Sequence, residues 1–278
     1  ETFAQIKAES RNPKGDVWWG GTGDPHLQAA EEGLTQAYIT PMRGELHGWA
    51  LNQAKAANDK TIGIYAGALG FGYNKDVLEK NNLPVPACWK DLLKPEFKGH
   101  VQMANPNSSG TGFLDVASWL QLFGEKDGWA FMDGLHQNIN WYTHSGSKPC
   151  KQAARGEVAI GVSFAFRGAK SKASGAPLEV IIPSEGIGWD MEATAIVNGT
   201  KKLDAAKTLV DWSITEKANK MYNEGYAVIG IQRLAKPVEH FPDNIPQAMI
   251  DNDFEWAASN RKRILAEWQK RYDSKSEQ

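Results

Sequence analysis

The sequence predicts an α/β fold. Short apolar runs alternate with amphipathic stretches along all 278 residues, the 41% hydrophobic and 23% charged content is that of an ordinary globular protein, and no repeat or low-complexity linker interrupts the pattern. Strands are expected at 16–19, 62–65, 68–74, 101–103, 158–162, 178–182 and 193–197, where β-branched, aromatic and small apolar residues cluster. Helices are expected at 25–32, 75–81, 112–123, 125–135, 148–155, 204–214, 215–224 and 253–272. The last has the clearest pattern, with Phe254, Ala257, Ala258, Ile264, Leu265 and Trp268 on one side and Arg261, Lys262 and Lys270 elsewhere. Residues 1–10 set Phe3 and Ile6 on one face, as though the chain starts within a helix. The length suits two cores, and glycine-rich stretches at 67–72 and 186–188 are the places where strands could cross between them.

Composition narrows the function. Lys and Arg total 31 against 33 for Asp and Glu, which excludes nucleic-acid or membrane-surface binding through bulk charge. The apolar stretch at 64–71 falls far short of the roughly 18–20 residues a membrane helix needs. Two cysteines, Cys88 and Cys150, are too few for a disulfide scaffold and too far apart for a CxxC motif, so one bridge and two free thiols both fit.

Three small-polar loops carry the chemistry. Gly20-Gly21-Thr22-Gly23-Asp24-Pro25 follows an expected strand, with Asp24 suited to cap a helix and Pro25 to its first turn. Asn107-Ser108-Ser109-Gly110-Thr111-Gly112 leads into an apolar helix, and Thr143-His144-Ser145-Gly146-Ser147 leads into another opened by Pro149. Each alone reads as an ordinary cap or turn. Together they suggest one anion site, because free N–H groups and hydroxyls at helix starts bind phosphate, phosphonate or carboxylate without a lysine cluster. No nucleotide signature is present: His26 stands where GxGxxG needs its third glycine, and GxxxxGK[ST] is missing. The six histidines lack HExxH spacing, Ser163 lies outside any GxSxG elbow, and neither metal nor hydrolase chemistry has an anchor. Trp119 and Trp268 read as packing residues, whereas Trp18, Trp19 and Trp189 border the loops.

Five segments in order carry a resemblance: Asp16-Val17-Trp18-Trp19-Gly20-Gly21-Thr22-Gly23-Asp24-Pro25-His26; Trp89-Lys90-Asp91-Leu92 with Pro95-Glu96-Phe97-Lys98-Gly99; Ser108-Ser109-Gly110-Thr111; Arg155-Gly156-Glu157-Val158-Ala159-Ile160-Gly161; and Pro183-Ser184-Glu185-Gly186. Over nearly the whole chain the set resembles periplasmic solute-binding proteins of the iron(III)-type ABC uptake systems, a group that includes binders of hexose phosphates and of 2-aminoethylphosphonate. The resemblance implies a type II periplasmic binding protein, two α/β lobes joined by crossing hinge strands that close on ligand. Lobe one would comprise 1–66 with 194–236 and lobe two 67–193 with 237–278, with the ligand cleft between them.

Ferric-ion binders of this group use adjacent tyrosines after the strand matching 158–162. This chain has Phe166-Arg167 there, and a phenyl ring cannot ligate iron while a guanidinium suits an oxyanion. Hexose-phosphate binders resemble the chain more closely, but tend to place a His-Asp pair at these positions. Glu185 stands at a position that in the family hydrogen-bonds ligand hydroxyls or amines. The ligand set implied is Trp19, Gly21, Thr22, Ser109, Gly110, Thr111, Ser145, Gly146, Phe166, Arg167 and Glu185, with no catalytic residue, metal or cofactor. The expected partners are a small anionic solute, foremost a phosphate ester or phosphonate, and an inner-membrane ABC permease, with the receptor a monomer in the periplasm and no nucleic acid involved. A periplasmic sensor module, a ferric-ion binder and an enzyme on the same fold are the alternatives.

Two departures yield further expectations. Family members begin with a strand and helix ahead of the segment matching residue 1, so the natural product is expected to be longer or the missing strand to be supplied otherwise. An exported protein meets an oxidising compartment, so a Cys88–Cys150 disulfide is expected, closing a loop of about 60 residues that the chain-entropy model values at roughly 4 kcal/mol.

Overall fold

The computed structural model describes residues 2–277. The chain divides into two compact units, Glu1–Gly67 with Asp190–Val238 and Ala68–Trp189 with Glu239–Gln278. The first unit starts at α1 (Thr2–Ala8), whose Phe3 and Ile6 pack on the buried Trp18, Ala29 and Leu34. β1 (Val17–Thr22), α2 (Gly23–Glu31), β2 (Thr35–Gln36) and α3 (Gly48–Ala56) follow, and β3 (Ile62–Asn74) then runs on past Gly67 into the second unit. The expected strands at 62–65 and 68–74 are thus one element. Ala66 and Gly67 do not break it, because small residues keep extended backbone where ladder pairing continues, and Ala66 pairs with Val228.

The second unit continues with α4 (Lys75–Lys80), β4 (Val101–Ala104), α5 (Gly110–Phe123), α6 (Glu125–Asn138), β5 (Ile139–Thr143), α7 (Lys148–Ala154), β6 (Ile160–Phe164), α8 (Ala165–Ala173) and β7 (Leu178–Ile181). β8 (Trp189–Val197) leads back into the first unit, which adds α9 (Leu203–Ser213), α10 (Glu216–Tyr222) and β9 (Val228–Ile229); α11 (Ile245–Ala248) and α12 (Phe254–Tyr272) complete the second. Asp253 caps α12 by accepting the Trp256 amide at 2.8 Å, and Ala257, Ile264, Trp268 and Tyr272 form its buried stripe.

In the first unit β1 and β2 both pair antiparallel with β8, and β9 pairs antiparallel with β3. Leu46, Ala50, Ile62, Ile64, Ile196, Ala206, Val210 and Ile214 make its main core. In the second, β3 pairs antiparallel with β6 and β7, while β4 is parallel to both β5 and β6. The carboxyl ends of β4, β5 and β6 therefore share one sheet edge, the side on which open α/β sheets commonly bind ligands. The aromatic chain Phe71–Trp89–Trp119–Phe131, with ring centroids 5.1–5.7 Å apart, fills the interior of this unit.

The expected disulfide is not formed: Cys88 and Cys150 are both free. Cys150 lies on α7 facing β6, its thiol reaching the Gly161 carbonyl at 3.5 Å, and burial pushes it up to about 12. Cys88 sits in the loop ahead of the 3-10 turn Lys90–Leu93, among Asp91 and Glu185. Each thiol has its own neighbours.

Candidate functional site

The glycine turn of the first unit belongs to β1 rather than to a loop after it. Gly20 and Gly21 adopt φ of +82° and +91°, a region glycine enters without penalty, and the β1–β8 register shifts at this point. A side chain at Gly21 would press on the Trp18 indole at 3.2 Å. The turn rests on His26, whose ring stacks on Trp18 with centroids 3.7 Å apart. Burial lowers the His26 pKa to about 4, so the ring is neutral: Nε2 donates to the Gly20 carbonyl at 3.0 Å and Nδ1 accepts from the Thr61 hydroxyl at 3.0 Å.

The helix start differs from expectation. α2 begins at Gly23, Thr22 precedes it, and Asp24 lies inside the first turn, where its carboxylate accepts the Thr22 hydroxyl at 2.9 Å. The chain's own carboxylates engage the amides that were expected to hold an anion. Gly21 donates to Glu192, and Gly23 donates to Asp190 at 3.1 Å. Burial raises the pKa of both acids, with Asp24 adding to the effect at Asp190. Near Glu192 lies Tyr65, stacked on Tyr226 at 4.1 Å, and burial with the Glu192 charge drives its phenol upward. Trp19 is 36% exposed and leans on Trp212. This face offers carboxylate and phenol oxygens, which suit hydroxyl or ammonium donors.

The second unit gathers a different set. At the end of β4, Asn105 accepts the Asn107 amide at 2.8 Å through its side chain, and its carbonyl accepts the Ser108 and Ser109 amides. Ser109 then caps α5 by accepting the Gly112 amide at 3.3 Å, so the helix starts two residues ahead of the expected 112, with Gly110 and Thr111 at the positions whose amides lack intrahelical partners. Gly112 has to be glycine, because a Cβ would meet the Ala104 carbonyl at 2.5 Å. The loop after β5 meets this one directly: any side chain at Gly146 would collide with Thr111 and Ser109. Ser163, near the end of β6, donates to the Gly146 carbonyl at 2.6 Å; the Thr143 hydroxyl donates to the Ser145 carbonyl at 2.9 Å, and Ser145 and Ser147 share a hydroxyl contact at 3.2 Å. Ser109, Gly110, Thr111, Ser145 and Gly146 are thus brought together with Ser163 at the edge where three parallel strands end.

Phe166 and Arg167 open α8 just beyond Ser163. The Phe166 ring stacks on Phe164 at 5.7 Å, and the exposed Arg167 guanidinium lies 4.6 Å from its centre. The two Glu185 oxygens accept the Trp89 and Lys90 amides at 3.1 and 3.0 Å, capping the 3-10 turn Lys90–Leu93. Trp189 is buried, its indole N–H donating to the Ile250 carbonyl at 2.7 Å. Among the described residues no group of three His, Cys, Asp or Glu could hold a metal, and no helix is long and apolar enough to cross a membrane. Loop motifs alone do not reveal Asp190 and Glu192, which engage the glycine turn of the first unit, or Asn105 and Ser163, which hold the small-polar loops of the second. Their signals are subtler: two acids at alternate positions of an otherwise apolar strand, and polar residues at parallel strand ends.

Residues 24–256 match the bacterial extracellular solute-binding protein family. The chain belongs to that family. It is 38% identical over 274 residues to an uncharacterized protein of Haemophilus influenzae, covering 96% of this chain and 79% of that one. Its fold superposes with a TM-score of 0.85 on the periplasmic binding protein AfuA of Actinobacillus pleuropneumoniae, solved with fructose-6-phosphate bound, at 36% identity over 98% of this chain and 87% of that one. The apo ferric ion-binding protein A of Pasteurella haemolytica shares the fold at TM-score 0.78 and 18% identity, covering 97% of this chain and 86% of that one. As a member of this family the chain is a solute-binding protein of an ABC importer.

Proposed function

We propose that this receptor captures a small phosphate ester or phosphonate, sugar phosphates foremost, in the periplasm and presents it to an inner-membrane ABC permease. The observation that carries the reading is the hydroxyl cradle of the second unit, where Ser109, Thr111, Ser145 and Ser163 converge on Gly146 at the N-terminus of α5. Such a site recognises a tetrahedral oxyanion through hydroxyls and main-chain N–H groups, without a net positive chain. Likeness to AfuA, solved with fructose-6-phosphate, supports the ester. Arg167 and Phe166 lie at the start of α8 just beyond Ser163, and a guanidinium suits an oxyanion while neither side chain ligates iron.

A thermal-shift panel of sugar phosphates, aminophosphonates, dicarboxylates, free sugars and ferric ion tests the reading. A phosphate ester or phosphonate at 100 times its dissociation constant should stabilise the protein by about 2.7 kcal/mol. Arg167→Ala should weaken the preferred anion by about 1.5–3 kcal/mol. Stabilisation by ferric ion alone would overturn the proposal.

A further inference from the structure

The residues after α12 grip the bases of both cradle loops. The Lys275 ammonium donates to the His136 and Ile139 carbonyls at 2.6 and 2.8 Å, fixing the tail where α6 passes into β5. Ser276 bridges alongside Tyr142, and its hydroxyl accepts from the Asn105 side chain at 2.9 Å, the same Asn105 that folds the loop after β4. Glu277 donates its amide to the Tyr142 carbonyl at 2.8 Å, while its carboxylate accepts the His144 amide at 3.0 Å and pairs with the Lys148 ammonium. One short segment therefore holds residue 105 at the root of one loop and residues 144 and 148 on either side of Ser145-Gly146-Ser147. The direct bonds from Ser108 to His144 are longer, at 3.3 and 3.4 Å.

We infer that residues 273–277 form a strap that sets the anion cradle, with Glu277 as its positioning residue; this rests on the reading of the cradle as the solute site. Glu277 cannot attract an anionic solute itself, since both are negative. It acts through the His144 amide and the Lys148 ammonium, holding the intervening turn so that its hydroxyl and amide groups face Ser109 and Thr111 before solute arrives. A turn ordered in advance loses less freedom on binding.

The sign of the effect separates positioning from charge. Removing a carboxylate beside an anion site makes the site more positive, so electrostatics alone would tighten binding, though screening of this half-exposed pair keeps that gain small. Loss of positioning weakens binding. In the full chain, Glu277→Gln should lower the affinity for fructose-6-phosphate about three- to tenfold by calorimetry, and should speed hydrogen exchange of the amides from His144 to Ser147 in the free protein while the far-UV circular dichroism stays unchanged. Unchanged or tighter binding would overturn the strap. If the unaltered protein binds no fructose-6-phosphate, this sugar phosphate is excluded as the solute, and the exchange measurement still decides: faster exchange supports the strap and unchanged exchange refutes it.

Discussion

His26 shows how one side chain ties the glycine turn of the first unit to acidity. Its pKa of about 4 lies below the 6.5 of an unstrained imidazole, because burial opposes the charged ring. Above pH 6.5 both folded and unfolded chains carry neutral His26, and it adds no pH dependence. As pH falls the unfolded chain takes up a proton that the folded one refuses, so stability drops between 6.5 and about 4. Urea denaturation should therefore show the unaltered protein losing about 2.5 kcal/mol more than His26→Asn on going from pH 7.5 to 4.5. Equal losses would mean that the ring is not held neutral. The sequence displayed His26 as a misfit in a dinucleotide pattern; that it is a buried turn support emerges only when Trp18, Thr61 and Gly20 converge on it. Ser109, Thr111 and Gly146 were legible because Ser, Thr and Gly at helix starts have a chemistry of their own. Glu192 was not, since its partner Gly21 is distant in the chain.

At the level of elements, the helix N-termini and parallel strand ends bring the cradle together, and the 3-10 turn Lys90–Leu93 engages Glu185, one of the expected ligand residues. Glu185 caps that turn with both oxygens. Glu185→Ala should lower stability by about 1–2 kcal/mol and leave solute affinity unchanged. A tenfold loss of affinity in a variant of unaltered fold would restore Glu185 to the solute. The strands and helices with strong periodicity were readable from sequence within a few residues. α3 and α8 were not: α3 is short with little amphipathic contrast, and the face that α8 buries consists of Ala165, Gly168 and Ala169, small residues that do not read as an apolar stripe. β5 was hidden because Ile139-Asn140-Trp141-Tyr142-Thr143 follows α6 with no loop between them, and its identity depends on pairing with β4.

For the whole molecule, the ordered motif set was more informative than any single motif. It indicated the solute-binding family, to which residues 24–256 belong, although the net charge of -2 gives no hint of the anionic cargo proposed for it. The structure reconciles these facts through local chemistry: the hydroxyls and helix-start amides of the second unit suit an oxyanion, while the carboxylates Asp190 and Glu192 occupy the corresponding amides of the first. The disulfide expectation failed because compartment and cysteine count say nothing about where two thiols lie, and Cys150 is buried against β6. Calorimetric titration of the purified chain and of Gly146→Ala with fructose-6-phosphate, with ferric ion as the competing ligand, tests the central claim most directly. The account predicts one-to-one binding of the sugar phosphate by the unaltered chain, at least a tenfold loss in Gly146→Ala, where the added methyl drives Ser109 and Thr111 apart, and no ferric binding. Equal affinity in both proteins, or binding of ferric ion with none of the phosphate ester, would contradict it.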